Sequence, residues 1–182
     1  FSSLALEMAA SRLLNNYFGS SQVVWAVLIG LILVYLTVGY YLGGRAADRN
    51  PKPARLYHFV AWAGLLIGVI PYVAQPILSF GQVALEEYIA SLLAASMLGV
   101  LVLFAAPVIL LGCISPYATR LIVQDVGSAG NAAGCIYALS TVGSILGTFL
   151  PVLVLIPSIG TKMTFVVLSL LLLVVALIGL AS

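Results

Sequence analysis

Glu7 is an isolated acid in the apolar opening stretch Leu4-Ala5-Leu6-Glu7-Met8-Ala9-Ala10, and Arg12 follows shortly after it. An ionisable side chain among apolar neighbours is costly to bury and is usually either paired or functional. Glu7 therefore suits one of two tasks: binding a cationic solute or a coupling proton, or a structural role as an ion pair with Arg12 or Arg120 or as a helix-helix hydrogen bond. Arg12 and Arg120 each precede a Gly-Ser pair, Gly19-Ser20 and Gly127-Ser128, at the same spacing. Each guanidinium alone suits an interfacial anchor. The recurrence suits a gate in which each bonds carbonyls or a carboxylate across a symmetry axis. Asp48 and Arg49 lie in a basic run with Arg45, Lys52 and Arg55. There Asp48 is placed to pair with a neighbouring Arg or to cap a helix N-terminus, and so to latch one state of a moving bundle. Tyr35, Tyr40, Tyr41, Tyr72 and Tyr137 offer aromatic faces to a cation, or form interfacial belts. The candidate substrate or coupling residues are thus Glu7, Tyr35, Tyr72 and Tyr137, and the candidate latch residues are Arg12, Arg120, Asp48 and Arg49. The single histidine, His58, borders the basic run and reads as an interfacial residue. No His, Cys and carboxylate set has metal-ligand spacing, and no Ser-His-Asp set is credible with one His. No catalytic residue, metal or cofactor is expected.

The elements that carry these residues follow from composition. Of 182 residues, seven are Lys or Arg and five are Asp or Glu, or 7% charged against 63% hydrophobic. The mean hydropathy is +1.23. Soluble domains run about 25% charged, so a water-soluble globule of this size could not cover its surface. This argues against a cytosolic enzyme, a basic nucleic-acid binder and a disordered tail. A net charge of +2 is too small to imply anionic partners. Cys113 and Cys135 both lie in apolar runs and read as small packing residues, not as a disulfide or a zinc site.

The charges punctuate the chain. They leave apolar windows that read as membrane spans at about Val23 to Gly44, Tyr57 to Ser79, Tyr88 to Gly112, Asn131 to Ile156 and Met163 to Ser182. Each is near the length of about 20 residues that one helical crossing needs. Phe1 to Asn16 reads as the second half of a further helix whose beginning is missing. No secretory signal is apparent. No alternating pattern suggests a barrel, so helices are the default in lipid. The basic run Arg45 to Arg55 should face the cytoplasm by the positive-inside rule. Counting crossings then places the turn at Gly19, the pair Glu86-Glu87 and Lys162 outside, and Arg120, Asp125 and the C-terminus inside. Pro71 and Pro76, Pro107, and Pro151 with Pro157 are expected to interrupt successive helices, and Ile114-Ser115-Pro116 to break the fourth. The pairs Gly39 with Gly43, Gly64 with Gly68, Gly130 with Gly134 and Gly143 with Gly147 each fall on one helix face and predict close backbone packing.

The chain also aligns with itself at one offset. Ala10-Ser11-Arg12-Leu13 falls on Ala118-Thr119-Arg120-Leu121, Gly19-Ser20 on Gly127-Ser128, and Leu31, Val34, Gly39 and Leu42 on Leu139, Val142, Gly147 and Leu150. Repeat one covers about residues 1–79 and repeat two about 88–182, within a single transmembrane domain. Three helices per unit invert the second copy, an arrangement typical of carriers and of each half of the major facilitator fold. The expected fold is all-α: six transmembrane helices as two inverted three-helix repeats. Duplication that merely built a stable bundle is the alternative.

Two resemblances follow. The run Gly44-Arg45-Ala46-Ala47-Asp48-Arg49-Asn50-Pro51-Lys52 resembles the signature between helices two and three of major facilitator carriers. Gly44, Asp48, Arg49 and Lys52 match, and Pro51 replaces the second Gly. More extensively, Ala5 to Leu14, Tyr17 to Ser21, Trp25, Gly39-Tyr40, Leu42 to Arg49, Ser115 to Leu121 and Tyr137 to Thr148 resemble the membrane region of bacterial spermidine-synthase-like membrane proteins, the fused facilitator/spermidine synthase family. That family commonly continues into a cytoplasmic aminopropyltransferase-like domain. No Gly-rich nucleotide-binding segment occurs here, so no enzyme activity is carried over. The resemblance implies a multi-pass protein of the bacterial plasma (inner) membrane that moves a small cationic solute of the polyamine type. A half-facilitator of this kind would work as a homodimer. The alternative it implies is a non-transporting anchor or scaffold for a synthase-like domain or another membrane subunit. Its expected partners are therefore the lipid bilayer, a second copy, or such a domain, and no nucleic acid.

Overall fold

The computed structural model describes residues 1–83, 89–123 and 129–181. Among the described residues the chain is helical throughout, with no strand. The helical segments are α1 (Ser2–Phe18), α2 (Gln22–Arg49), α3 (Pro53–Val83), α4 (Ile89–Ile122) and α5 (Ala129–Leu150). A π turn, Pro151–Leu155, then leads into α6 (Ile156–Ala181). Among the described residues, four stretches are long and apolar enough to cross a membrane: Gln22–Arg49, Pro53–Ser79, Leu93–Ile122 and Ala133–Ala181. The last has 49 residues, which at about 1.5 Å per residue is more than twice a hydrocarbon layer of about 30 Å. It is not one rod. Gly160 within it is non-helical at φ 79 and ψ 167, a backbone region that only glycine enters without strain. Thr164 Oγ donates to the Gly160 carbonyl at 2.9 Å, satisfying an acceptor where the helix restarts.

The helix α1 lies at the centre. Ala5, Leu6, Ala9, Ala10 and Leu14 are fully buried, and α1 touches α2, α3, α4, α5 and α6. Small alanines beside the leucines on its buried face let several neighbours come close to its axis. The helix ends at Gly19, whose φ of 72 turns the chain and whose N–H reaches the Asn15 carbonyl. Ser21 then caps α2 by accepting from the Val23 N–H at 3.2 Å. This short turn falls at the sequence-predicted position. Around α1, the most extensive contact is α2 on α4, followed by α3 on α6 and α3 on α4. Phe104 and Phe165, both fully buried, stack obliquely at 6.5 Å between ring centres.

Much of the outer surface is apolar. Trp62, Leu139, Leu153, Leu177 and Ile178 are each more than half exposed. In water this would be an aggregating surface; against lipid tails it is the expected outside of a bundle.

Three expectations are corrected. The basic run is not a loop from Gly44: α2 continues through Arg49, because Arg45-Ala46-Ala47-Asp48-Arg49 contains good helix formers. The break falls at Asn50 to Lys52. Helix four is not broken at Ile114 to Pro116, and α3 and α4 continue through Pro71, Pro76, Pro107 and Pro116. Neighbouring helices and side chains can satisfy the freed carbonyls, which makes proline tolerable inside membrane helices. The interruption expected at Pro151 is present as a single π turn, an adjustment that accommodates its missing N–H. The expected loop from Ile156 to Lys162 shrinks to the break at Gly160.

Three of the four glycine pairs sit at close approaches: Gly39 and Gly43 against the α4 backbone, Gly64 and Gly68 against α6, and Gly143 and Gly147 against Phe1. Gly130 and Gly134 approach none of the described residues in this way. Glu86, Glu87, Tyr88, Asp125, Gly127 and Ser128 lie outside the described residues.

Candidate functional site: a cleft between α2, α4 and α5

The helix α2 presents Tyr40, Gly44 and Asp48 along one face, one turn apart. The C-terminal turns of α4 present Ser115, Pro116, Thr119 and Arg120, Val123 follows just past its end, and α5 presents Tyr137 and Ser140. These residues line an open cleft of about 660 Å³. The α2–α4 interface creates it. Gly39 and Gly43 hold the two helices backbone to backbone, and Tyr40 and Gly44, next to that contact line, border the cleft.

Asp48 and Arg120 meet in this cleft, with Arg120 Nε 3.4 Å from Asp48 Oδ1. This is the only ion pair among the described residues. Both side chains stay more than half exposed, so the pair adds little to stability, on the order of 1 kcal/mol or less. Its two groups can be separated by a competing ligand at low cost. Thr119 Oγ donates to the Ser115 carbonyl at 2.9 Å, which leaves its lone pairs free to accept from a guest. Tyr40 and Tyr137 are 49% and 65% exposed, enough to offer ring faces to a cation in the cleft.

Of the sequence-predicted residues, the fold brings together Asp48, Arg120 and Tyr137. It leaves the others apart. Glu7 is half-buried on α1 and has no ion-pair partner among the described residues; neither Arg12 nor Arg120 reaches it. Arg12 is exposed near the far end of α1, and Arg49 is exposed on α2 away from the ion pair. Tyr35 is buried in α2, and its hydroxyl has no hydrogen-bond partner among the described residues. Tyr72 is 74% exposed on the outside of α3. None of these five lines the cleft.

Tyr117 is the residue that sequence reasoning missed. It is fully buried, and its hydroxyl donates to the Asn50 carbonyl at 2.7 Å while accepting from the Lys52 N–H at 3.0 Å. Its ring meets Phe59 edge-on at 5.8 Å. One side chain of α4 thus ties down the connection between α2 and α3, just past Asp48. The signal available was a tyrosine directly after Ser115-Pro116 at the charged end of a helix, which composition alone does not separate from an interfacial belt. Tyr117→Phe is expected to cost about 0.5–1.5 kcal/mol, because it removes the hydroxyl that holds the partly buried Asn50 carbonyl and Lys52 N–H. Hydrogen exchange at Asn50 to Lys52 should quicken while the rest of the chain stays protected; unchanged exchange there would contradict the tie.

No family model, no curated protein and no solved structure matches the chain.

Proposed function

We propose that this chain is a carrier-like membrane domain that moves a small cationic solute, of the polyamine type, by alternating access. In this reading it has six crossings, formed by α1 to α6 with Gly160 as the turn between the last two. They make two inverted three-helix repeats, half of a major-facilitator-like fold, in a bacterial plasma membrane with the C-terminus in the cytoplasm. It works as a homodimer. The resemblance to the membrane region of the fused facilitator/spermidine synthase proteins supplies the solute class.

The observation that carries the proposal is the cleft with an ion pair across it. Asp48 belongs to the first repeat and Arg120 to the second, so their pairing joins the two units at one end of the bundle. A cationic solute entering the cleft competes with Arg120 for the Asp48 carboxylate, stacks on Tyr40 and Tyr137, and donates to the Ser115, Thr119 and Ser140 oxygens. Binding then releases the clasp between the repeats. That couples occupancy to rocking, since a ligand moves a two-state equilibrium only through interactions that differ between the states. Glu7 lies away from the cleft and takes the role of a coupling group or of a structural acid on α1.

Uptake into liposomes tests the proposal. Vesicles containing the chain should accumulate labelled putrescine or spermidine faster than empty vesicles, and Asp48→Asn should slow that uptake. Uptake no greater than in empty vesicles would replace the carrier reading with that of an anchor or scaffold for a cytoplasmic domain.

A further inference from the structure

The outward face of α2 holds a second constellation, independent of the cleft. A helix turns about 100° per residue. Gly39, Gly43 and Ala47 are buried on the side of α2 that meets α4, so Val34, Val38, Tyr41, Arg45 and Arg49 share the opposite side. Among the described elements α2 touches only α1 and α4, which leaves that side without protein cover. Val34 is 54% exposed, Val38 39% and Tyr41 64%. Arg45 and Arg49 are exposed as well, as are Lys52 and Arg55 just beyond the helix end.

The stripe therefore runs from an apolar track to an aromatic residue and then to a cationic head. Tyr41 sits at the junction, and its hydroxyl accepts from Arg45 Nη1 at 3.1 Å. This holds one guanidinium at a set height above the apolar track. Arg49 follows one turn later, where residues four apart stand about 5–6 Å from each other at Cβ. The acid in this part of the chain, Asp48, stands one turn from Arg45 at the edge of this stripe nearer the cleft, and its carboxylate is engaged by Arg120. Among the described residues, Arg45, Arg49, Lys52 and Arg55 form no ion pair, and four cations face the single carboxylate that Arg120 already holds.

We propose that this face of α2 binds an anionic phospholipid. One acyl chain lies along Val34 and Val38, the glycerol region lies at Tyr41, and the phosphate sits between Arg45 and Arg49 with Lys52 and Arg55 behind. Charge complementarity selects the occupant. A zwitterionic lipid offers the same acyl track but carries a cation of its own toward the arginines, whereas an anionic headgroup brings only negative charge. The inference does not depend on transport and holds equally for a carrier or an anchor.

The test uses the full chain in detergent, titrated with dioleoyl phosphatidylglycerol or dioleoyl phosphatidylcholine and followed by native mass spectrometry and thermal unfolding. Phosphatidylglycerol should stay bound at higher collision energy and raise the unfolding temperature, while phosphatidylcholine should do neither. Each arginine near an anionic headgroup contributes roughly a fivefold gain in affinity, so Arg45→Gln with Arg49→Gln should weaken phosphatidylglycerol binding roughly thirtyfold. That variant should unfold at the wild-type temperature when no lipid is added, because both side chains are exposed. Arg12→Gln, at the far end of α1, should keep the full lipid response. Equal retention of both lipids, an undiminished response in the double variant, or an equal loss in Arg12→Gln would overturn the proposal. So would inorganic phosphate reproducing the temperature shift, which would make this a soluble-anion site.

Discussion

Gly43→Leu is expected to remove the folded state of this chain in detergent. A Cβ at Gly43 would lie 2.5 Å from both the Cα and the carbonyl oxygen of Cys113, and one at Gly39 would lie 2.9 Å from the Gly112 Cα. The colliding atoms are backbone, so no rotamer change relieves the overlap, and α2 and α4 must separate. Overpacking a core by a few methylenes costs about 1–3 kcal/mol. Here the most extensive helix contact of the molecule is lost, so the cost should exceed about 3 kcal/mol, a large share of a typical stability of roughly 5–15 kcal/mol. Lipid makes the penalty harder to absorb, because van der Waals packing is the main attraction between helices there. Size-exclusion chromatography and thermal unfolding should show an aggregated or non-cooperative species. Gly30→Leu is the control: it is on the same helix, and a Cβ added there would meet no atom within 4 Å. It should behave as wild type. A monodisperse Gly43→Leu with a normal transition would refute the α2–α4 contact.

The second large effect falls on uptake instead of folding. Arg120→Asp sets a carboxylate opposite Asp48 where a guanidinium stood at 3.4 Å. Two unit charges about 4 Å apart interact by about 1 kcal/mol in bulk water. Turning attraction into repulsion at this wet site is therefore a swing of about 2 kcal/mol. A barrier change of that size slows a step roughly tenfold to thirtyfold. Uptake of labelled putrescine should drop accordingly. The exchange of charges, Asp48→Arg with Arg120→Asp, should recover most of it. The unfolding temperature of the single and exchanged variants should stay near wild type, because exposed ion pairs contribute little to stability. Equal loss in the single and exchanged variants would mean that the residues act separately, and the clasp between repeats would be wrong.

Part of the candidate site was legible before the fold. Asp48 stands out as an acid in a basic run, Arg120 by its recurrence at the spacing of Arg12, and Tyr137 as an aromatic in an apolar helix. Their convergence was not legible, since one residue comes from α2, one from the end of α4 and one from α5. Tyr35 and Tyr72 carry the same local signal as Tyr137, yet one is buried in the bundle and the other points outward. Tyrosine suits a core, a cleft and a membrane interface equally, so its type does not choose among them. Tyr117 shows the converse: it looked ordinary in sequence, and only the return of the Asn50 to Lys52 connection against α4 gives its hydroxyl partners.

The glycine pairs divide along the same line. Gly39 with Gly43 and Gly130 with Gly134 have identical spacing, but the first pair meets a neighbouring helix and the second meets none of the described residues. Small residues permit close approach without saying where the partner is.

What the sequence determined by itself is the solvent and the secondary structure. Long uncharged windows of high hydropathy exclude a watery surface, and a backbone in lipid must bond within its own helix. Those constraints act along the chain and can be read along it; the turn at Gly19 belongs with them. What only the tertiary structure decided is which face of each helix meets protein, that α1 is central, that prolines sit within continuous helices, and that Asp48 meets Arg120. The reason is that lipid tails are as apolar as a leucine side chain. Hydrophobicity therefore does not distinguish an inward face from an outward one, and steric fit and the sparse polar groups make that choice in three dimensions.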